Sequence, residues 1–316
     1  MSNRTERQHF VPAFYLAQWA TPQERTGKMR VFDRTNGRSW RSTPENLGFA
    51  RDFYTIESRE APQAVEDLLA KLEGIGSEAI REVTTTDALP TTSAGLHRLM
   101  SHVAMQAART PRVRENLGNF YSDVHLRVLD AYTDHPEAFA KALREINPEM
   151  TEAQAKKAHS ELREMLQEPG LRVQMDQTTL IRDTLDAAAG IEDALSQRHW
   201  ELCVAPSDRQ FVTSDDPVVL DFEPGVKGHF LKSPGFGRPD TIVSFVLGPR
   251  HLIMGYAFEP AVQRRDFTRE NVAAYNTRAV WNGVRFVYFG RKSFDFIGPD
   301  GELAIGPADV LRRPDS

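Results

Sequence analysis

Three short polar segments of this 316-residue sequence carry residue types that transfer protons and hold anions. His9 follows Gln8 near the start of the chain, and a histidine exchanges a proton near neutral pH. Arg109 can hold an oxyanion or a phosphate through two parallel hydrogen bonds. Asp215 could orient His9 in its useful tautomer, or act as a second acid or base. His9, Arg109 and Asp215 are therefore the predicted catalytic residues of a hydrolase.

Cleavage of a phosphodiester or a nucleotide is the reaction that suits these groups best, which predicts a nuclease or a related phosphodiesterase. Arginine complements the charge of a phosphoryl transition state, and histidine suits proton transfer to a leaving oxygen. A substrate that carries a carboxylate fits the same groups. The alternative is a non-catalytic binding module for an anionic small molecule or a nucleic-acid end. In a third interpretation, His9 and Arg109 only tie the N-terminal segment to the helical core.

Further polar residues accompany the three predicted catalytic ones. His102, Gln106 and Arg109 have spacings of four and three, so their side chains share one helix face. That row could line a cavity or form a solvated flank. Asn276 is internal to a predicted helix, where asparagine is mildly unfavourable, and exposure to solvent is its simplest explanation. The predicted substrate-binding residues are Gln8, Tyr15, Gln106, Ser214 and Asn276.

Residues 213–217, Thr-Ser-Asp-Asp-Pro, end an apolar strand with hydroxyls and carboxylates, and rigid strand ends commonly present functional groups. A local turn, in which Asp215 or Ser214 satisfies nearby backbone donors, explains the same residues equally well. Asp215 and Asp216 are also the weak candidate for a divalent-cation site, although adjacent carboxylates point in different directions along a strand. No other cofactor is predicted, because the nucleotide-binding glycine motifs and a His-Glu-x-x-His motif are absent.

The order of predicted elements indicates an α+β fold, in which a central helical region accompanies a mixed or antiparallel sheet of N-terminal and C-terminal strands. Aromatic residues over 10–19 have the helical spacing that demands burial against a core. Strands at 29–34 and 39–41 are predicted to form a hairpin. Ser93 is the predicted N-cap of the helix that ends before Pro111. Helices are predicted at 63–84, within 92–199 and at 268–281, and strands at 53–56, 200–204, 210–213, 241–247, 251–256 and 285–289.

Residues 1–316 are predicted to form a single α+β domain. A segment rich in Ala, Glu, Lys and Leu over 134–170 is interpreted as a helical insertion or lid with a solvated charged face. Many Gly and Pro residues over 222–239 predict a long loop. Residues 307–316 are interpreted as a loose tail.

Composition limits the classes of function. Hydrophobic residues make up 40% and charged residues 26% of the chain, as in an ordinary globular protein. The net charge of -5 argues against general affinity for polyanions but leaves a local basic pocket open. No apolar run is long enough for a signal peptide or a membrane span. The single cysteine, Cys203, is predicted to be a core residue in a reducing, cytoplasmic setting, while the oligomeric state is left open.

Three short motifs follow one another along the chain. They consist of Gln8, His9, Pro12, Tyr15 and Leu16, then Gln106, Arg109, Thr110 and Pro111, then Thr213, Ser214, Asp215, Pro217 and Val218. In this order they resemble a broadly distributed microbial family catalogued as domain of unknown function family 4238. The resemblance spans nearly the whole chain, and the family name implies no activity. Asp216 stands where the resemblance leads us to expect an asparagine, and His102 lies outside it.

Overall fold

The computed structural model describes residues 7–51, 53, 64–226 and 233–311. Apart from Phe53, the strand predicted at 53–56 lies outside these residues, as do part of the predicted loop at 222–239 and residues 312–316 of the predicted tail. The chain divides into two compact units, of which the first comprises residues 1–112 and 181–316 and the second residues 113–180. The predicted α+β class is confirmed.

The larger sheet of the first unit contains five strands from the C-terminal third of the chain. Neighbouring strands are antiparallel, except that the first two in spatial order are parallel. Antiparallel neighbours can be joined by a tight turn, and residues 249 and 250 form such a turn between two of these strands. The spatial order of the sheet is β10 (Arg264–Asp266), β5 (His199–Val204), β9 (His251–Tyr256), β8 (Thr241–Gly248) and β7 (Val218–Phe222).

A second, antiparallel sheet joins the two ends of the sequence. The predicted hairpin forms its first two strands, and a C-terminal strand pairs with the second of them. N-terminal and C-terminal strands therefore share a sheet, as the sequence predicts. Its spatial order is β3 (Ser39–Ser42), β2 (Met29–Asp33), β11 (Phe286–Phe289) and β6 (Thr213–Ser214); two smaller antiparallel pairs are β1 (Arg7–His9) with β4 (Phe49–Arg51) and β12 (Phe294–Ile297) with β13 (Leu303–Gly306).

Two helices of the first unit, α3 (Ser93–Ala108) and α8 (Arg269–Asn282), begin at side-chain caps. Thr92, and not the predicted Ser93, caps α3, because its hydroxyl accepts a hydrogen bond from the amide of Gly95 at 3.0 Å. Thr268 and Asn271 form a capping box at the start of α8. The helices are α1 (Ala13–Leu16), α2 (Ala64–Thr86), α3 (Ser93–Ala108), the part of α7 (Gln177–Ser196) from residue 181 onwards, and α8 (Arg269–Asn282).

The aromatic segment near the start of the chain is buried, as its spacing predicts. The Tyr15 ring stacks on Phe245 of β8 with centroids 5.1 Å apart, and its hydroxyl donates to the carbonyl of Val246 at 2.8 Å. Trp19 donates through its indole nitrogen to the carbonyl of Phe211 at 2.8 Å. These hydrogen bonds satisfy the hydroxyl of Tyr15 and the indole nitrogen of Trp19, two buried aromatic side chains of the core cluster.

Two further predictions concern single residues of this unit. Cys203 is fully buried in β5, and burial raises the pKa of its thiol, so its prediction as a core residue is confirmed. Val310, within the tail predicted at 307–316, is buried in the core cluster. Of the described helices, none has the length and apolar character needed to cross a membrane.

The second unit contains helices only. Residue 113 onwards of α4 (Pro111–Thr133) is followed by α5 (Pro136–Ile146) and α6 (Glu152–Leu166). Asn147, before Pro148, is the C-cap of α5, and Thr151 with Gln154 forms a capping box at the start of α6. Both helices lie in the segment 134–170, whose role as an insertion or lid stays a prediction.

Candidate functional site

His9 lies in β1 with its ring edge-on to Phe49 at a centroid distance of 5.8 Å. Its Nε2 is buried and has no hydrogen-bond partner among the described residues, while the backbone of Glu45 is hydrogen-bonded to the ring. Burial lowers the pKa of His9, the carboxylate of Glu73 opposes that shift, and the charge of Arg109 adds to it. The ring is therefore neutral near pH 7 and carries an unused acceptor.

Gln106 and Arg109 form a buried polar network beside this histidine. The Gln106 amide donates to the carbonyl of Phe10 at 2.9 Å, and its oxygen accepts from Nη2 of Arg109 at 3.2 Å. Nη1 of Arg109 lies 3.1 Å from Oε1 of Glu73, and only 2% of the arginine side chain is exposed. The row at 102, 106 and 109 is therefore interior and not a solvated flank. The hydrogen bond from Gln106 to the carbonyl of Phe10 supports a structural tie between the N-terminal segment and the helical core.

A cavity of about 240 Å³ lies between α2 and α3 at this network. Glu73 and Arg109 form part of its wall, together with His102, whose buried Nε2 has no hydrogen-bond partner in the part of the chain that the structure describes. The sequence analysis missed Glu73, because a glutamate on an amphipathic helix gives no sign that it meets an arginine 36 positions later. The cavity shows that space for a small ligand exists beside the paired arginine.

Asp215 makes hydrogen bonds at the entry to β11, and the prediction that it meets His9 and Arg109 stays a prediction. Its two carboxylate oxygens accept hydrogen bonds from three consecutive backbone amides, those of residues 284, 285 and 286, at 2.8 to 3.0 Å. Burial raises the pKa of Asp215, and the three amides oppose that shift. The carboxylate thus holds the entry to β11, and the hydroxyl of Ser214 bonds within the same turn to the carbonyl of Asp216. The turn interpretation of this motif accounts for both side chains.

Asp216 is paired with a cationic side chain, and the cation site predicted at Asp215 and Asp216 stays a prediction. Its carboxylate lies 3.0 Å from Nη1 of Arg112 in an ion pair. Burial nevertheless raises its pKa to about 6, with Asp215 adding to the shift and Arg112 opposing it. Across residues 7–51, 53, 64–226 and 233–311, no three His, Cys, Asp or Glu side chains group closely enough to hold a metal ion.

The remaining predicted substrate-binding residues are buried among backbone partners. Asn276 is fully buried, which corrects the expectation of exposure. Its oxygen accepts from the amide of Val212 at 2.9 Å, and its nitrogen donates to the carbonyls of Gln210 and Asp295 at 3.0 and 2.9 Å. The three hydrogen bonds of Asn276 connect α8 with residues 210–212 and with Asp295. Tyr15 is committed to the core contacts given above, and Gln8 is buried.

A basic cleft that the sequence analysis did not identify lies elsewhere in the first unit. Two cavities of about 640 and 300 Å³ adjoin each other, because Arg209 and Arg291 line both of them. We call the pair the arginine cleft. Its cationic side chains come from α2, the loop after β5, the β8–β9 turn, α8 and the β11–β12 turn, and they are Arg81, Arg209, Arg250, Arg269, Arg291 and Lys292.

Hydrogen bonds hold the loops that present these cations. Gln210 accepts from the amides of Gly290 and Arg291, each at 3.1 Å, and so fixes the turn after β11. Arg291 also donates to the carbonyl of Ser207 at 2.6 Å. The carboxylates in the lining are Asp208 and Asp295, fewer than the six cations, so the cleft has a local positive excess on a chain of net charge -5.

The structure defines an α+β protein with three features. They are an N-terminal Gln-His motif, a buried Gln106–Arg109 pair and the turn at Asp215. The family model described as protein of unknown function (DUF4238) matches residues 7–293, and the chain belongs to that family. Comparison with curated proteins and with solved structures found no significant match.

Proposed function

We propose that this chain binds a phosphate-bearing ligand in the arginine cleft. The observation that carries the proposal is the excess of six cationic side chains over two carboxylates around two adjoining cavities. Guanidinium groups suit phosphate because their planar donors can make two parallel hydrogen bonds to its oxygens. This proposal develops the binding-module alternative and places its ligand away from Arg109.

Several of these guanidinium groups form no ion pair within the described residues. Arg81 makes none there, Arg250 donates to the carbonyl of Ala205 at 3.4 Å, and Arg291 donates to a carbonyl. Arg250 also attracts the carboxylate of Asp87 electrostatically. By contrast, Arg209 and Arg269 both lie against Asp295. Arg81, Arg250 and Arg291 line the larger cavity, which is where a phosphate would gain most.

The size of the cleft favours a small ligand over a long polymer. Small-molecule sites typically enclose roughly 300–1,000 Å³, and the two cavities of about 640 and 300 Å³ fall within that range. A nucleotide or a dinucleotide fits this space and presents phosphate groups to cations on both sides of the shared Arg209 and Arg291.

Titration calorimetry with 5′-phosphorylated dithymidylate tests the proposal. The double variant Arg81→Ala/Arg250→Ala removes two exposed cations of the cleft, and we expect its dissociation constant to rise about tenfold or more. Arg41→Ala is the matched control, because this exposed arginine lies on β3 and lines neither cavity. Absence of binding to the parent protein, or equal binding to the parent and the double variant, contradicts the proposal.

A second candidate is the hydrolase predicted around His9, and one observation favours it. Nε2 of the neutral His9 ring is unpartnered, while the carboxylate of Glu73 and the guanidinium of Arg109 both act on the ring electrostatically. We propose Glu73 in place of Asp215 as the carboxylate of that site. His9→Ala separates the interpretations, since an enzyme loses turnover of the same dinucleotide with an unchanged melting temperature, whereas a structural tie loses melting temperature.

A further inference from the structure

We propose that the Asp87–His251 pair is the proton-transfer device of a phosphodiester hydrolase whose substrate lies in the arginine cleft. The inference rests on the proposed binding function and adds a reaction to it. It also places the chemistry away from His9, Arg109 and Asp215.

The pair lies where a ligand in the cleft would meet it. His251 is the first residue of β9, and it lines the larger cavity together with Arg81 and Arg250. Nε2 of His251 lies 2.6 Å from Oδ1 of Asp87, which follows α2 in the chain. Within the described residues Nδ1 of this ring has no hydrogen-bond partner, so Nδ1 is the nitrogen that can exchange a proton with a ligand.

Asp87 is suited to orient the imidazole. The hydrogen bond from His251 lowers the pKa of Asp87, with burial opposing that shift, so the carboxylate is charged and selects the tautomer with hydrogen on Nε2. Its backbone has a φ of +51°, in the left-handed region that residues other than glycine seldom adopt. A residue held in that region beside a histidine and a basic cleft is the kind of local strain that accompanies functional sites.

The reaction follows from these positions. Nδ1 of His251 takes a proton from a water molecule, whose oxygen attacks the phosphorus of the bound diester. The bond from phosphorus to the leaving oxygen breaks with its electron pair, and that oxygen takes the proton back from the imidazolium. One diester and one water give one monoester and one alcohol, with no change in oxidation state. Arg81, Arg250 and Arg291 stabilise the charge of the transition state.

Charged groups surround the pair. Arg250 and Arg264 act electrostatically on Asp87 and help to keep it ionised. The cationic side chains that line the same cavity as His251 are Arg81, Arg209, Arg250 and Arg291, so a phosphodiester held by them would lie beside this histidine.

His251→Gln is the decisive substitution. Glutamine can still donate from its side-chain nitrogen to Asp87, which preserves the tie between β9 and the end of α2, but it has no group equivalent to the basic Nδ1. We measure release of mononucleotide from 5′-phosphorylated dithymidylate, and turnover of the activated diester bis(4-nitrophenyl) phosphate. The expected result is a loss of about 100-fold or more in turnover, with the dissociation constant within about threefold of the parent value.

Two further variants separate the roles. His199→Gln is the matched control, because His199 is exposed on β5 and lines neither cavity, and it should keep parental turnover. Asp87→Asn tests a positioning residue, and its rate should fall about 10-fold to 100-fold while the acid limb of the pH–rate profile moves to lower pH. A purely structural aspartate would leave the position of that limb unchanged.

The outcomes distinguish this inference from the binding proposal. If the parent protein binds the dinucleotide but hydrolyses neither substrate, or if His251→Gln retains the parental rate, the catalytic inference is wrong and the binding proposal stands. If the parent protein does not bind the dinucleotide, both are wrong. Should His251→Gln fail to fold, the pH–rate profile of Asp87→Asn decides the question.

Discussion

Gly76 of α2 and His102 of α3 are in direct contact, because the glycine lets the imidazole lie against the helix backbone. A Cβ atom added at residue 76 would lie 2.7 Å from Cγ of His102, well inside van der Waals distance. Gly74, two residues earlier on the same helix, has nothing within 4 Å of the corresponding position. Two glycines on one helix therefore have different reasons for being there.

Alanine at these two positions should change stability in opposite directions. Gly74→Ala should stabilise the fold by about 0.5–1 kcal/mol, because glycine is unfavourable within a helix. Gly76→Ala should destabilise it by about 1–3 kcal/mol, because the added methyl displaces His102 from a packed interior. Urea denaturation of both variants gives the two free energies of unfolding. An equal gain at both positions would show that α2 and α3 are not so closely packed.

His102 should make the protein sensitive to acid. Burial, with a smaller effect from Arg109, lowers its pKa from 6.5 to about 3. Between these two pH values the unfolded chain binds a proton on His102 that the folded chain does not bind. The free energy of unfolding therefore falls as the pH decreases below about 6.5 towards about 3. His102→Met removes the titrating group and should flatten this fall. Free energies of unfolding at about pH 7 and about pH 5, for parent and variant, measure the difference.

Asp216 should have the opposite dependence on pH. Its pKa is raised from 3.8 to about 6, so the folded chain binds a proton more tightly than the unfolded chain does. This contribution to stability is fully present below about pH 3.8 and is lost as the pH rises through about 6. Asp216→Asn should therefore stabilise the protein relative to the parent near pH 8, and much less near pH 4. An equal effect at the two pH values would contradict the assignment.

Asp215→Asn should affect folding and leave ligand chemistry alone. Asparagine offers one acceptor where the carboxylate accepts three amide hydrogens, and its own NH₂ group faces a remaining donor. We expect a loss of about 1–3 kcal/mol in the free energy of unfolding. Parental binding of the dinucleotide should be retained under conditions where the variant is folded. A variant with parental stability but no binding or turnover would restore the functional role predicted from the sequence.

Much of the frame could be predicted from local pattern. The spacing of Tyr15 and Trp19 indicates a buried face, and the alternation at 29–34 indicates a strand of a hairpin, because both signals depend on neighbouring residues. A turn is one of the two interpretations that the sequence allows for Ser214 and Asp215, since Asp and Ser satisfy backbone donors in many turns. The sequence gives no means of choosing between the two interpretations, because Asp215 accepts hydrogen bonds from backbone amides that lie 69 to 71 positions later.

The arginine cleft could not be predicted for a related reason. Arg81 and Arg291 are 210 positions apart, and neither occurs in a motif that marks an anion site. The same holds for Asp87 and His251, whose contact spans 164 positions. Sites assembled from the ends of several helices and turns are defined by tertiary packing, whereas periodicity reports only the face that each element buries.

The long-range bonds of Tyr15 and Trp19 bear on how the chain folds as it leaves the ribosome. Their partners Thr213 and Phe211 lie 198 and 192 positions later. At a synthesis rate of roughly 5–20 residues per second, the aromatic segment waits about 10–40 s before these partners emerge. Throughout that interval it is an apolar stretch with no core to enter, so the nascent chain should be a substrate for chaperones that shield such segments.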